Sequence, residues 1–154
     1  MKTITLWQPW ASLIAIGEKR IETRSWDTDY RGPLAIHAGQ HWDGQMVRLC
    51  KTEPFAGVLG TAGLCERGPR GGWRTSLPFG AIVATCTLVG CYEIAGPYVD
   101  IYRRNYAAEH EYDFGDYTHG RYAWVLTDVV ALPEPVPARG RQGLWDCDEV
   151  GLCQ

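Results

Sequence analysis

FGAIVATCTLVGCYEI, residues 79–94, is the clearest β-strand in the sequence, because it is apolar and rich in β-branched side chains. RYAWVLTDVVAL, residues 121–132, has the same character and predicts a second long strand. Two such runs, flanked by glycine and proline, indicate a fold that is organised around a β-sheet.

Three shorter segments outside these runs also have the composition of strands. They are KTITLW (2–7), IETRSW (21–26) and RGPLAIHAG (31–39). The first alternates between the two faces of a strand, and the third opens at a Gly-Pro turn. Three prolines after residue 132 then predict an extended, edge-like connection to RGRQGLW (139–145).

The predicted helices are short. Pro9 suits a first helical position and Gly17 suits a left-handed C-terminal cap, so a two-turn helix is predicted over 9–16. This segment is apolar nearly all round, which indicates that the helix is buried. A second helix is predicted from Asp43, as its N-cap, with a break near Pro54.

The remaining segments have the composition of loops or of a weak helix. ERGPRGGWRTSLPFG (66–80) is rich in glycine, arginine and proline, which predicts a mobile loop that carries Trp73. Residues 98–110 favour a further helix, followed by the loop YDFGDYTHG (112–120).

These elements predict a mainly β (α+β) protein and not a doubly wound α/β one. We expect a small mixed β-barrel of five to six strands, with two to three short helices covering its openings. A length of 154 residues without repeats or a linker fits one domain, residues 1–154.

The composition is that of a globular protein, with 45% hydrophobic and 21% charged residues. WASLIAI (10–16) is too short to span a bilayer, and Lys19 and Arg20 follow it where a signal peptide would carry small residues. The six cysteines form no CxxC pair and have no zinc-ligand spacing. We therefore expect a reduced, cytoplasmic protein without a metal or cofactor.

The charge is unevenly distributed along the chain. Residues 1–80 hold ten Lys and Arg against seven Asp and Glu, whereas residues 81–154 hold five against eleven. The halves carry +3 and −6, which agrees with the net charge of −3. A basic side on an acidic protein suits contact with a short phosphate segment and not with a long duplex, although two solvated faces would give the same totals.

GEKRIETRSW, residues 17–26, places the charged residues Lys19, Arg20, Glu22 and Arg24 close together, next to an apolar helix. On a strand, alternation puts Glu22, Arg24 and Trp26 on one face and Ile21 and Thr23 on the other. Such a cluster is either an exposed set of ion pairs or one side of a polar pocket. A carboxylate that is flanked by cations and tryptophans suits a heterocyclic base, which it can bind through hydrogen bonds and stacking.

The pattern G-x-K-x-x-E-x-R, formed by Gly17, Lys19, Glu22 and Arg24, resembles the signature of the ASCH (ASC-1 homology) family. QPWASL before it, and RSW and YRGPLAI after it, extend the resemblance, as do FGDYTHGRYAWVL and the closing RGRQGLW. The resemblance implies a PUA-like β-barrel with a cleft for RNA or a nucleotide. Its expected ligands are single-stranded RNA or DNA, with RNA favoured, or a modified nucleoside or nucleotide.

The resemblance also implies which residues line the cleft. The matching positions are Gln8, Trp10, Lys19, Glu22, Arg24, Ser25 and Trp26, to which we add Arg31, Arg121 and Tyr122. Some of these have structural alternatives: Trp10 can be core, and Arg121 can pair with Asp113 or Asp116. Outside the motif, His37 is interpreted as a structural histidine, and Arg139 and Arg141 as exposed residues able to touch phosphate if the C-terminus folds near the cleft.

Three functional hypotheses follow. The preferred one is a non-catalytic nucleic-acid or nucleotide-binding module. The second is a metal-independent hydrolase of RNA or of a modified nucleoside, with catalytic residues from Lys19, Glu22, Arg24 and Tyr122. Some small ASCH proteins are N4-acetylcytidine amidohydrolases with a threonine nucleophile, but Glu22 occupies the position at which that threonine aligns. The third is a protein-interaction module that docks through Trp73 and its loop.

Overall fold

The structure is a computed structural model, which describes residues 1–95 and 107–148. Eight strands and three helices lie in these ranges. The strands are β1 (Lys2–Leu6), β2 (Ile21–Arg24), β3 (Gly32–Ala38), β4 (Cys65–Arg67), β5 (Trp73–Thr75), β6 (Ala81–Glu93), β7 (Tyr122–Pro137) and β8 (Leu144–Asp146). The helices are α1 (Trp10–Ala15), α2 (Gly44–Cys50) and α3 (Phe55–Thr61).

Six of the strands form one sheet in the order β2-β7-β6-β3-β1-β8. Only the β1–β3 pair is parallel, and the other neighbours are antiparallel. The sheet is curled into a half-barrel, and three short helices accompany it. The prediction of a small, mixed, mainly β barrel with short helices is therefore confirmed, with six strands in its sheet.

The curl of the sheet is associated with irregular pairing between its two longest strands. The β6–β7 register shifts at three places, and between the Thr85–Val130 and Thr87–Thr127 pairs β7 carries one residue more than β6. Asp128 lies in this bulge with a φ of 51°, a left-handed conformation that Asp tolerates better than most residues. Bulges increase local twist and bend the bulged strand, so the long strands curve where regular ones would stay flat.

Helix α1 lies between two apolar clusters, as its all-round apolar sequence predicts. Ile14 packs with the sheet residues of the main cluster, whereas Leu13 packs with residues of α3 and the loops, and both are fully buried. The helix ends at Ala15, and Gly17, directly after the C-cap Ile16, has a φ of +82°, which is the predicted left-handed conformation. Pro9 is the N-cap and not the first helical residue.

The second predicted helix is two helices. Asp43 caps α2 as expected, because its carboxylate accepts hydrogen bonds from the N–H groups of Gln45 and Met46. The break at Pro54 is also present, but a third helix, α3, begins directly after it. Proline is compatible with the start of a helix even though it interrupts the interior of one.

The segment 66–80 is more regular than predicted. Instead of a mobile loop, it contributes to the β4–β5 hairpin, in which Arg67 pairs with Trp73. Trp73 is half-buried and packs against the second apolar cluster, which fixes one side of the hairpin.

Most of the helix predicted over 98–110 lies outside the described residues. No helix in the described ranges is long and apolar enough to cross a membrane.

His37 on β3 is buried, as expected of a structural histidine. Its side chain is 1% exposed, and Nε2 lies 3.0 Å from the carbonyl oxygen of Ala138. Burial lowers the pKa of His37, and the hydrogen bond to Ala138 opposes only part of that effect. As the pH falls, the unfolded chain therefore binds a proton at this residue before the folded chain does.

We expect the contribution of His37 to stability to be constant above its unfolded pKa of about 6.5 and to fall as the pH drops below that value. Melting temperatures between about pH 8 and pH 5 measure this effect. His37→Gln should reduce the fall of the melting temperature at acid pH, whereas His119→Gln, at an exposed position, should leave that fall unchanged. Equal acid slopes for the wild type and His37→Gln would contradict the prediction.

Candidate functional site

A cavity of about 490 Å³ opens where the two apolar clusters meet. Its aromatic lining comes from α1, α3 and the segments after β1, after β2 and before β7: Trp7, Trp10, Trp26, Phe55 and Phe114. Its charged lining is Glu22, Arg24, Asp113, Asp116 and Arg121. A volume of this size is in the range of small-ligand sites, and the mixture of aromatic faces with a few polar groups is typical of them.

Strand β2 supplies the motif side chains through the predicted alternation. Glu22 and Arg24 are partly exposed and line the cavity, whereas Ile21 is buried in a separate small cluster. Thr23 also belongs to the cavity lining, but it is largely buried, and its hydroxyl oxygen accepts a hydrogen bond of 3.1 Å from the N–H of Asp116. The strand is held by antiparallel pairing with β7, in which Glu22 faces Trp124.

Glu22 is held between two cations. Its Oε1 lies 3.3 Å from Nε of Arg24, and its Oε2 lies 3.7 Å from Nζ of Lys19. Arg24 is fixed from the other side, because its Nη2 donates to the carbonyl oxygen of Thr5 on β1 at 2.8 Å. Glu22 is only 13% exposed, so this group is not the exposed set of ion pairs that the sequence left open.

Lys19 is fully buried and is not among the residues that line the cavity. Its ammonium donates a hydrogen bond to the carbonyl oxygen of Ile21 and lies 3.8 Å from Oε1 of Glu111. The geometry therefore gives Lys19 an indirect role, in which it supports Glu22 from the interior. Direct contact between Lys19 and a ligand stays a prediction.

Glu111 completes this arrangement and was not anticipated from the sequence. It is fully buried and accepts hydrogen bonds from the backbone N–H groups of Arg20 at 2.7 Å, Ile21 at 2.9 Å and Ala108 at 3.3 Å. It thereby ties the segment before β7 to the start of β2. No local pattern distinguishes Glu111 from its solvent-exposed neighbour Glu109, because the partners are some 90 residues away in sequence.

Two of the lining tryptophans are fixed by edge-on aromatic contacts. Trp26 packs against the buried Trp124, with ring centroids 4.7 Å apart and an interplanar angle of 85°. Trp10 packs against Phe55 at 6.4 Å and 87°. Trp7 differs from both because it is 52% exposed, and its ring lies 4.2 Å from that of His41. An exposed tryptophan at the edge of an aromatic-lined cavity offers ring surface on which a base can stack.

The loop before β7 contributes the opposite charges of the lining. Arg121 Nε lies 3.3 Å from Oδ2 of Asp116, one of the two pairings considered from the sequence. Hydrogen bonds from the hydroxyl and then from the backbone N–H of Thr118 lower the pKa of Asp116, so this carboxylate is ionised at neutral pH. With Asp113, the lining residues in the described part of the chain include three acidic and two basic side chains. Its cations are thus balanced by neighbouring carboxylates.

The predicted site residues divide into two groups. Those that line the cavity are Trp10, Glu22, Arg24, Ser25, Trp26 and Arg121. Those outside its lining are Gln8, Lys19, Arg31 and Tyr122. The lining residues that sequence reasoning did not assign to the site include Phe55 and Phe114, which resemble ordinary core aromatics when the sequence is considered alone.

Three residues outside the lining have local roles. Gln8 is fully buried, and its amide bonds the Ser12 hydroxyl at 2.8 Å and the Pro78 carbonyl at 2.7 Å. Arg31 Nη1 donates to two carbonyls within its own turn. The pKa of Tyr122 is raised, chiefly by the nearby Asp27, which makes its phenol a weaker acid.

Comparisons with known proteins agree on the fold. The ASCH domain family model matches residues 4–134. The ASCH protein of Zymomonas mobilis has a crystal structure with a TM-score of 0.51 and 16% identity, covering 96% of this chain and 88% of that one. Crystal structures of two point variants of the same protein give TM-scores of 0.51 and 0.50 at 16% identity, covering 96% of this chain and 91% and 89% of theirs.

No curated protein matches the chain. The similarity to the Zymomonas mobilis structures, at 16% identity, concerns the fold alone. The family match is broader, since it spans the sheet from β1 into β7 together with all three helices. ASCH domains are PUA-like modules that are generally implicated in RNA binding. The chain belongs to the ASCH domain family.

Proposed function

We propose that this protein binds single-stranded RNA, or a nucleotide, by accepting one unstacked base in the cavity. The observation that carries the proposal is the Glu22 carboxylate, which is held between Arg24 and Lys19 in a cavity lined by tryptophans. Proteins that read single-stranded RNA commonly stack splayed bases on aromatic rings and hydrogen-bond their Watson–Crick edges.

The polar groups of the cavity match the edge of a base. A carboxylate is an acceptor only, so Glu22 can accept from an exocyclic amine or a ring N–H. The Arg24 guanidinium is a donor only. Its Nε contacts Glu22 and its Nη2 donates to Thr5, so Nη1 is the nitrogen that can donate to a base carbonyl. The pair therefore presents an acceptor and a donor side by side, which is the pattern of a base with an amine next to a carbonyl.

The charge of the cavity also favours a base over a phosphate. Arg24 and Arg121 are each paired with a carboxylate, and the lining side chains that the structure describes carry a net charge of −1. A phosphate placed here would have to compete with carboxylates that already hold the guanidinium groups. A neutral heterocycle meets no such repulsion.

The arrangement supports a binding module more than a hydrolase. Of the residues named for catalysis, Lys19 and Tyr122 lie outside the lining, and only Glu22 and Arg24 face the cavity. Metal-independent RNA cleavage needs a base, an acid and a cation around one phosphate. The raised pKa of Tyr122 opposes its use as the acid.

Trp7→Ala tests the stacking part of the proposal. We expect the affinity for a single-stranded RNA of about eight nucleotides to fall five- to tenfold, close to 1 kcal/mol and at the low end of the range for base stacking. Trp7 is half-exposed, so the melting temperature should change little. Fluorescence anisotropy with labelled RNA gives the affinity.

Val130→Ala is the matched control, because Val130 is 59% exposed, lies on β7 and does not line the cavity. It removes exposed apolar surface without touching the proposed site. Equal affinities for Trp7→Ala and Val130→Ala would count against stacking on Trp7. An absence of binding by the wild type to RNA, nucleosides and nucleotides alike would refute the proposed function.

A further inference from the structure

A second cavity, of about 400 Å³, adjoins the first. The two share Thr5 and Trp7 in their linings, so they lie side by side at the exposed Trp7, and we call them the first and second parts of a groove. The second part is polar and includes two arginines and two amides: Gln40, Arg139, Arg141 and Gln142. The proposed function leaves this part of the groove unassigned.

The two parts of the groove differ in charge. Among the residues that the structure describes, the second lining contains no aspartate or glutamate, whereas the first contains three. Arg139 and Arg141 are exposed, and neither forms an ion pair with any residue in the ranges 1–95 and 107–148. Arg141 is instead placed over the ring of Trp145, with its guanidinium carbon 5.9 Å from the ring centroid. Uncompensated guanidiniums on a polar surface are groups that bind phosphate well.

The segment that carries these arginines is docked firmly on the sheet. Ala138 donates to the carbonyl oxygen of Gly80 at 3.0 Å and accepts from His37 at 3.0 Å. Gly140 packs so closely that a Cβ there would lie 2.5 Å from Cε1 of His37 and 3.1 Å from Oγ1 of Thr5. The arginines therefore flank a fixed backbone position and do not project from a loose tail.

We propose that the second part of the groove, with Arg139 and Arg141, binds a phosphate next to the base held in the first part. This inference rests on the proposed function and specifies its ligand class. The ligand is a phosphate-bearing nucleotide, free or within single-stranded RNA, and not a free nucleoside. The acidic first part recognises the base, and the basic second part recognises the backbone.

The test compares ligands with and without phosphate on the wild type and on the double variant Arg139→Gln/Arg141→Gln. The probes are the four ribonucleosides, their 5′-monophosphates and a random-sequence RNA of about eight nucleotides. The matched control is Arg67→Gln/Arg70→Gln, which removes two exposed arginines from the β4–β5 hairpin. Calorimetry gives affinities, and a salt series from about 50 to 200 mM gives the slopes.

We expect the wild type to bind monophosphates and RNA more tightly than nucleosides. The double variant should bind the RNA at least tenfold more weakly at low salt, and its salt slope should be shallower by about 0.7 for each phosphate that the arginines no longer neutralise. Nucleoside binding should not change, and the hairpin control should behave like the wild type. If the affinity falls only for the RNA, and not for the monophosphates, the phosphate site is used by a polynucleotide.

Two results would overturn the inference while leaving the proposed function intact. One is that nucleosides bind as tightly as their monophosphates and the RNA. The other is that RNA binds the wild type and Arg139→Gln/Arg141→Gln equally. Failure of the proposed function is distinguishable from both, because the wild type would then bind none of the probes.

Discussion

Replacing Glu111 with glutamine is expected to lower the free energy of unfolding by about 3–5 kcal/mol, the usual cost of breaking a buried charge pair by removing one partner. Its two oxygens accept from three backbone N–H groups and face the ammonium of Lys19. Glutamine has one oxygen for these donors, and its own amide N–H would point at a backbone N–H. A loss of this size is a large part of the 5–15 kcal/mol typical of a folded domain.

Urea denaturation with an unchanged m-value measures the effect. Glu109→Gln is the control, since it makes the same chemical change two residues earlier at an exposed position. It should stay within about 0.5 kcal/mol of the wild type. If Glu111→Gln is as stable as Glu109→Gln, the hydrogen bonds and the ion pair of Glu111 contribute nothing measurable, and the indirect role of Lys19 loses its basis.

A double-mutant cycle separates the ion pair from the hydrogen bonds. Lys19→Met keeps the length of the side chain but leaves Glu22 and Glu111 without their shared cation. The variant that combines Lys19→Met with Glu111→Gln no longer buries an unpaired Glu111 charge. Its destabilisation should therefore be smaller than the sum of the two single changes. A strictly additive result would mean that Lys19 and Glu111 act independently.

Local chemistry was enough to predict most of the sheet. The β-branched runs that became β6 and β7 are long, apolar and bounded by glycine and proline, so their strand character does not depend on tertiary context. Gly17 was equally clear, because few residues other than glycine adopt a φ of +82° at a helix end. The β4–β5 hairpin was missed because its regularity depends on the packing of Trp73 against residues elsewhere in the chain.

The candidate site was predictable only as far as strand periodicity extends. Glu22 and Arg24 lie on β2, and a period of two places both on the cavity side. Lys19 precedes the strand, so its direction is set by the turn after α1 and by Glu111, which no spacing rule connects to it. The same reason explains the placement of Arg31, whose turn directs it to its own backbone carbonyls.

The buried pair and the cavity form one connected arrangement. Glu111 fixes the backbone at the start of β2 and faces Lys19, and Lys19 in turn faces Glu22. Glu22 is therefore supported from the interior by a cation and from the cavity side by Arg24. A carboxylate that is held in this way is pre-organised to accept hydrogen bonds, because little ordering remains to be done when a ligand binds.

Glu22→Gln is expected to weaken the binding of single-stranded RNA by about 1.5–3 kcal/mol, or roughly 10- to 150-fold. The substitution keeps the shape of the side chain but replaces a charged acceptor with an amide that both donates and accepts. An amine or imino group of the base then loses a charge-assisted hydrogen bond, and the amide N–H₂ can be turned towards it. Calorimetry with the RNA of about eight nucleotides gives the affinity.

Asp113→Asn provides the matched control, because Asp113 also lines the cavity and the change also removes one negative charge. If the net negative charge of the cavity determined the affinity, both variants would change the affinity by the same amount. If Glu22 reads the base, only Glu22→Gln should lose affinity.

Product chromatography on the same samples tests the hydrolase alternative. Turnover of RNA or N4-acetylcytidine by the wild type, abolished in Glu22→Gln while binding is retained, would identify Glu22 as a catalytic residue and overturn the binding-module proposal.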